Sequence, residues 1–326
     1  MDKTARILFI CLGVALAAAA GWLWQRTEAA SGRHLVILHT NDTHSHFEPE
    51  RAGEYVGMGG IIERAAFVDS VRKAEGAGNV LLLHAGDFCQ GTTYFSELGG
   101  DLEIQAMNAM GYDVVTLGNH EFDNGLEDLG RRLSSLEMPV VVCNYDFSPF
   151  EIGKYVKPYV VVERAGFKIG ILGVLCDLKS MVAGDIAERV PEFPLVETVQ
   201  KYADLLKGEE KCDLVIALTH IGYTEHNPGD VIDPVLCSKT RNIDLFVTGH
   251  SHTFLEEMVY HPNLDGIPVP VVQDGWMGVY MGQIDYRLSV IILCFVYFNR
   301  KAAAFRFCFI NNKCLKFSMS GRNNFV

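Results

Sequence analysis

Short apolar, β-branched runs recur along the chain, and each closes in a polar or glycine-rich turn: residues 35–38, 80–83, 114–117, 140–142, 168–174, 214–218, 245–248 and 269–272. Runs of this length without a polar interruption predict buried strands. Between several of them, residues 60–73, 101–110, 127–136 and 195–206 carry apolar side chains at spacings of three and four, which predicts helices. The alternation predicts an α/β layered domain with loops at one edge of its sheets free for chemistry.

The two ends break this pattern. Lys3 and Arg6 precede an apolar run over 7–24, followed by polar and small residues over 25–33. That order is the order of an export signal. The run approaches the ~20 residues that span a bilayer, so two readings stand: a signal peptide cleaved after Ala20, Ala29 or Ala30, or an uncleaved N-terminal membrane anchor. Both make the protein exported, whether periplasmic, extracellular or anchored, and the N-terminal segment is the only expected tie to a membrane. After Arg287 the character changes again. Residues 288–298 form a dense apolar run too short to cross a membrane, residues 302–310 form another, and no helical or alternating period is sustained. We therefore expect three parts: an export segment over 1–33, a catalytic domain over 34–286 and an atypical basic, apolar tail over 287–326. A translated frameshift or a misjudged gene end would leave such a tail, and an ordinary terminal strand or helix is the competing reading.

The formal charge of −12 comes without a basic stripe, which argues against a nucleic acid polymer as partner. The segment from Tyr286 onward holds seven basic residues and no acidic one, so the catalytic region is more acidic than the total. Nine cysteines show neither a CxxC pair nor a regular spacing, so no thiolate zinc site or disulfide framework is signalled. Cys89 reads as a small buried filler.

The chemistry lies in where the polar residues fall. Five predicted strands run into loops of metal-ligand type: His39-Thr-Asn-Asp42-Thr-His44-Ser-His46, His84-Ala-Gly86-Asp87, Leu117-Gly-Asn119-His120-Glu-Phe-Asp123, Thr219-His220-Ile-Gly222 and Thr248-Gly-His250-Ser-His252. A phosphate ester resists attack because its oxygens are negative and its leaving group is a poor alkoxide. Two divalent cations about 3.5–4 Å apart acidify a water and clamp the developing charge. Holding them takes oxygen and nitrogen donors with a carboxylate shared between the metals, and this chain supplies such a set. Asp42 and His44, two apart, point the same way if strand geometry persists. Asp87 follows a glycine that permits a tight turn and is the candidate shared carboxylate. Asn119 offers a carbonyl oxygen, and His220, His250 and His252 offer imidazoles. Two carboxylates against two dications leave a net positive site, suited to a phosphate dianion.

The series Asp-x-His, Gly-Asp, Gly-Asn-His, His, Gly-His-x-His resembles the calcineurin-type metallophosphoesterase superfamily. Within it, the stretches from Leu35 to Phe47 and from Tyr112 to Asp123 resemble the two signatures of the 5'-nucleotidase family. The resemblance covers roughly residues 35–285, and it is specific because several motifs agree in type, order and spacing. It implies a four-layer α/β/β/α sandwich with a dinuclear metal site at one sheet edge. By matching position, Asp42, His44, Asp87 and His252 would hold one metal, and Asp87, Asn119, His220 and His250 the other. His120 would stabilise the transition state and protonate the leaving oxygen, with Asp123 fixing its tautomer. The nucleophile would be a metal-bound water or hydroxide, without a covalent intermediate. Zinc and manganese are the expected ions, since the donors are imidazole and carboxylate.

Two departures matter. At His252 the 5'-nucleotidases commonly carry an amide, whereas histidine is the preference of the wider superfamily. The family's C-terminal domain, which stacks the nucleobase and supplies arginines to the phosphates, finds no matching motif context after Arg287, unless a separately encoded domain docks in trans. The expected activity is hydrolysis of phosphate monoesters, 5'-nucleotides first, with a nucleotide or another small phosphate ester as partner. A 2',3'-cyclic nucleotide phosphodiesterase and a non-selective phosphatase are the enzymatic alternatives. A non-catalytic, metal-stabilised surface protein is the alternative from another class, and the pair His120 and Asp123 argues against it, because a structural metal needs no proton donor. His39, His46, His84, His226 and His261 read as packing, supporting or surface residues, and Gln90 and Gly91 as shapers of the loop beside Asp87.

Overall fold

The structure, a computed structural model, describes residues 33–299 and 302–320, with side chains described up to Arg287. The expected export segment lies outside the described residues, apart from Arg33. Among the described residues no helix is long and apolar enough to cross a membrane. Contacts separate two compact units, one containing Val36–Ile284 and one containing Asp285–Lys316.

The first unit is built on two sheets. In one, β1 (His34–Thr40), β2 (Val80–Ala85), β3 (Val114–Thr116), β4 (Val140–Val141) and β5 (Val156–Lys157) lie side by side in that order, each parallel to its neighbour. The other holds β6 (Tyr159–Arg164), β7 (Phe167–Leu175), β8 (Leu214–His220), β9 (Leu245–Thr248), β10 (Val259–Pro262) and β11 (Pro268–Val272), in the order β10-β11-β9-β8-β7-β6. There β7, β8, β9 and β11 are parallel, with antiparallel edge strands β6 and β10. The central strands are buried along their whole length, as in β2 and β8, which is why they read as uninterrupted apolar runs.

Strands β2, β3 and β4 pack against β7 and β8, so the sheets face one another. At Gly173 they approach too closely for a side chain: a Cβ there would stand 2.9 Å from Val141 Cγ2, and Cys143 N–H donates to the Gly173 carbonyl at 2.9 Å. Among the helices, α1 (Ile61–Glu75) packs on β2, while α2 (Thr93–Leu98), α3 (Asp101–Met110) and α4 (Gly125–Leu133) follow β2 and β3. On the other sheet, short α5 (Leu178–Met181) and α6 (Gly184–Ala187) precede α7 (Leu195–Gly208), which packs on β7 and β8, and α8 (Asp233–Lys239) lies against β10 and β11. The layers are therefore helix, sheet, sheet, helix, the expected four-layer α/β/β/α sandwich. One apolar core joins them, running from Val36 and Leu82 through Val115 and Leu172 to Val199 and Phe246.

All eight anticipated strands are present. Strand β6, although it carries three consecutive valines, and the edge strands β5 and β10 went unread, being short or only half-buried. Where the tail showed no period, the structure has two long neighbouring strands, β12 (Met281–Asn299) and β13 (Ala302–Ser320).

Candidate metal centre

Every candidate ligand lies at or just beyond the C-terminal end of a parallel strand. Asp42 and His44 follow β1, Asp87 follows β2, and Asn119, His120 and Asp123 follow β3. His220 closes β8, and His250 and His252 follow β9. Parallel strands present all these ends at one edge, which brings loops distant in sequence together.

The first loop departs from the strand geometry entertained for Asp42 and His44. Strand β1 ends at Thr40, and both residues adopt left-handed backbone, with φ of 47° and 45°. Asp87 (55°), His250 (80°) and His252 (53°) do the same. Non-glycine residues rarely occupy this region, and each instance costs on the order of 1 kcal/mol or more unless surrounding bonds impose it. Here they do: Asp42 N–H donates to Gly86 O at 3.0 Å, His44 N–H to Asp87 O at 3.1 Å, and His250 N–H to Asp42 Oδ2 at 2.9 Å. The contorted loops, and not an extended strand, aim these side chains inward.

Two groups result. Asp42, His44 and His252 form one, and Asp87, His220 and His250 the other, with the ligand atoms of each within 4.8 Å of one another. In the first, Nε2 of His252 is 3.0 Å from Nε2 of His44 and 3.5 Å from Asp42 Oδ1, while His44 Nε2 is 3.8 Å from that same oxygen. In the second, His220 Nε2 is 3.1 Å from Asp87 Oδ2, and His44 Nε2 is 4.0 Å from that oxygen. Asp87 thus stands between the groups, where a shared carboxylate belongs. Donors bound to one cation at ~2.0–2.2 Å stand roughly 3–3.5 Å apart, so the spacing fits a metal. His220 gives a second sign. Its Nδ1 donates to Ala85 O at 2.6 Å, which aims the wholly buried Nε2 into the site beside Asp87 Oδ2, the orientation of a metal-ligating imidazole. His44 is oriented in the same way, with Nδ1 3.3 Å from Cys89 O.

The electrostatics agree. Burial works to raise the carboxyl groups of Asp42 and Asp87, but His220 opposes it in both and both stay below the usual carboxylate range. Burial works to lower His220, yet Asp87 and Asp42 lift it to about 10. Burial lowers His44, and lowers His250 to about 4. The pocket therefore favours positive charge at His220, and a dication would displace its proton.

Asn119 is buried beside Cys176, whose thiol lies 3.7 Å from Asn119 Oδ1. His120 is held at both ends: its N–H donates to Asp87 Oδ1 at 2.9 Å, and its Nδ1 is 2.9 Å from Asp123 Oδ2. Burial works against a charge on His120, but Asp123 and then Asp87 prevail and raise it to about 9. Asp123 caps the short 3-10 turn His120–Phe122 and also pairs with His120. Of the residues set aside, His39 and His84 are buried, His46 bonds Glu50 at 2.6 Å, His226 rests against the His250 ring and His261 bonds Tyr223. Gln90 and Gly91 both have positive φ, and a Cβ on Gly91 would stand 2.9 Å from His44 O.

Sequence reasoning passed over Glu121. Wholly buried, it accepts N–H groups from Asp87 (2.9 Å), Gly118 (2.6 Å) and Cys89 (3.1 Å). Arg132 of α4, also buried, donates to Glu121 O at 2.7 Å and sits 3.1 Å from Cys89 Sγ. A lone charge between Gly-Asn-His and an apolar residue was the available signal. Cys89 itself is buried, and burial raises its thiol pKa, in keeping with a filler.

Residues 35–254 match the calcineurin-like phosphoesterase family. The chain is 31% identical over 304 residues to protein UshA of Yersinia enterocolitica, covering 85% of this chain and 53% of that one. It is 34% identical over 277 residues to the snake venom 5'-nucleotidase of Naja atra, covering 77% and 50%. Its fold is similar to the crystal structure of a 5'-nucleotidase precursor from Thermus thermophilus, with a TM-score of 0.69, 29% identity and coverage of 87% and 55%. The chain spans about half the length of the curated relatives it matches. The match over residues 35–254 contains all nine candidate residues, and the chain belongs to the calcineurin-like phosphoesterase family, a family of hydrolases.

Proposed function

We propose that the protein hydrolyses phosphate monoesters, 5'-nucleotides among them, at a pair of divalent cations held by Asp42, His44, Asp87 and His252 on one side and by Asp87, Asn119, His220 and His250 on the other. The observation that carries this reading is the juxtaposition of His120 with Asp87: one residue reaches toward the metal groups through its backbone and keeps a proton on its ring beside Asp123. When bound, the cations would supply an activated water and neutralise the phosphate. His120, kept cationic by Asp123 and Asp87, would hold a proton for the leaving oxygen, and Asp123 would keep the imidazole in the orientation that presents Nε2 outward.

The match to the relatives covers about half of each, and the nucleoside preference is the part of the proposal that the assay below decides. Manganese or zinc suits the donor set. Export through the N-terminal segment belongs to the same proposal. Phosphate release from AMP and p-nitrophenyl phosphate, and ring opening of 2',3'-cyclic AMP to its monophosphate, each measured with manganese and with chelator, test it. Hydrolysis of AMP faster than of the other two supports a 5'-nucleotidase, ring opening of the cyclic ester above both a 2',3'-cyclic nucleotide phosphodiesterase, equal release from AMP and p-nitrophenyl phosphate a non-selective phosphatase, and hydrolysis of no ester a metal-stabilised binding protein.

A further inference from the structure

His252 differs from the other ligands in how its ring is held. His44 and His220 each direct Nδ1 to a backbone carbonyl, which fixes the tautomer and aims Nε2 at the site. Among the described residues no group accepts from Nδ1 of His252, and its side chain is 36% exposed against 6% for His44. An exposed imidazole with no such bond is free to rotate about its ring torsion, and a rotated ring does not coordinate.

The ring instead lies flat on Trp276, with centroids 4.8 Å apart and planes 12° from parallel. His44 meets both rings edge-on, its centroid 5.0 Å from that of His252 and 6.4 Å from that of Trp276. The indole is itself fixed to the metal loops. It sits between two residues of left-handed backbone, Gly275 (φ 82°) and Met277 (φ 58°). Met277 N–H donates to Asp42 O at 2.7 Å, Asn41 Nδ2 to Gly275 O at 2.6 Å, and Gly275 N–H to Thr253 O at 3.2 Å. The turn bearing Trp276 is thus bonded to Asn41 and Asp42 on one side and to the neighbour of His252 on the other. An amide side chain presents no ring face to stack, so the indole is matched to histidine at position 252.

We infer that Trp276 is the positioning residue for His252, holding the imidazole with Nε2 toward Asp42 and His44 and thereby setting the affinity of that group for a divalent cation. This rests on the metal-centre part of the proposed function. An aromatic stack shifts an equilibrium by about 2- to 12-fold, and supports around metal ligands contribute about 10- to 100-fold to affinity, so the expected effect is about tenfold.

The chain has three tryptophans, Trp22, Trp24 and Trp276. In the full chain carrying Trp22→Phe and Trp24→Phe, tryptophan emission comes from Trp276 alone, and paramagnetic manganese at the adjoining group would quench it. Manganese titrated into the chelator-stripped protein, with free ion read by electron paramagnetic resonance, gives the number of sites and their affinities. Trp276→Ala is expected to weaken one of two sites about tenfold and spare the other, Trp276→Phe to recover most of the loss, and Trp276→Ala in a His252→Gln background to change nothing further. Affinities within twofold of the parent in both Trp276 variants, or an equal loss in the His252→Gln background, would overturn the inference. A parent chain that binds no manganese, by contrast, would overturn the metal-centre reading itself.

Discussion

The carboxylate of Glu121 accepts the backbone N–H of Asp87 at 2.9 Å, and with two further N–H groups it fixes the turn from which the Asp87 side chain projects. Glu121→Gln replaces one acceptor oxygen by a donor facing an N–H. We expect a 10- to 100-fold loss of metal affinity, as is usual for supports of this kind, with turnover falling in step. Metal content after dialysis and phosphate release measure both, and a variant with parental metal content would refute the role.

Asp87→Asn and His120→Asn separate binding from chemistry. The first removes charge from between the two groups and should abolish turnover along with at least one bound ion. The second should lower kcat by about 10²- to 10⁴-fold, the range for a lost proton donor, while both metals stay bound. Metal loss in the His120 variant would place His120 among the ligands.

Gly118 admits no side chain. A Cβ there would stand 2.6 Å from both Asp87 N and His220 Nε2. Gly118→Ala should therefore displace the second group while leaving the buried strands intact. Unchanged circular dichroism with reduced metal binding is the expected pair of results, and parental affinity would contradict the packing.

Metal binding should stabilise the fold, because the ligands converge only when both sheets are assembled. A cation at about 100 times its Kd adds about 2.7 kcal/mol per site, so chelation should lower Tm by several degrees. Thermal melts with manganese and with EDTA check this, and coincident melts would indicate that no ion is held.

Asp233, wholly buried, accepts from Thr219 Oγ at 2.5 Å, and burial raises its carboxyl from 3.8 to about 8 despite that bond. Between those values the folded chain keeps a proton that the unfolded chain has released. Its contribution to stability is therefore complete below about pH 4 and is lost as pH rises through about 8, by about 1.4 kcal/mol per pH unit. Asp233→Asn, neutral throughout, should flatten that slope in urea unfolding of the metal-free protein between pH 5 and 9. Equal slopes for the two chains would mean that Asp233 is ionised when folded.

What the sequence determined by itself is the set of candidate donors and their order on the strands. The buried strands of a doubly covered sheet are uninterrupted apolar runs, so 80–83 and 214–218 announced themselves, and parallel order carries the loops after them to one edge. Edge strands such as β10 lack that signature because one face meets solvent. Tertiary structure alone decided how the donors point. The left-handed backbone at Asp42, His44, Asp87, His250 and His252 is held largely by hydrogen bonds between loops far apart in sequence. The Glu121 cradle and the Trp276 stack likewise join residues more than twenty positions apart or aim a local one by distant bonds. Residue type is a local property that a sequence displays directly, whereas orientation is imposed by partners that meet only once the sheets have packed.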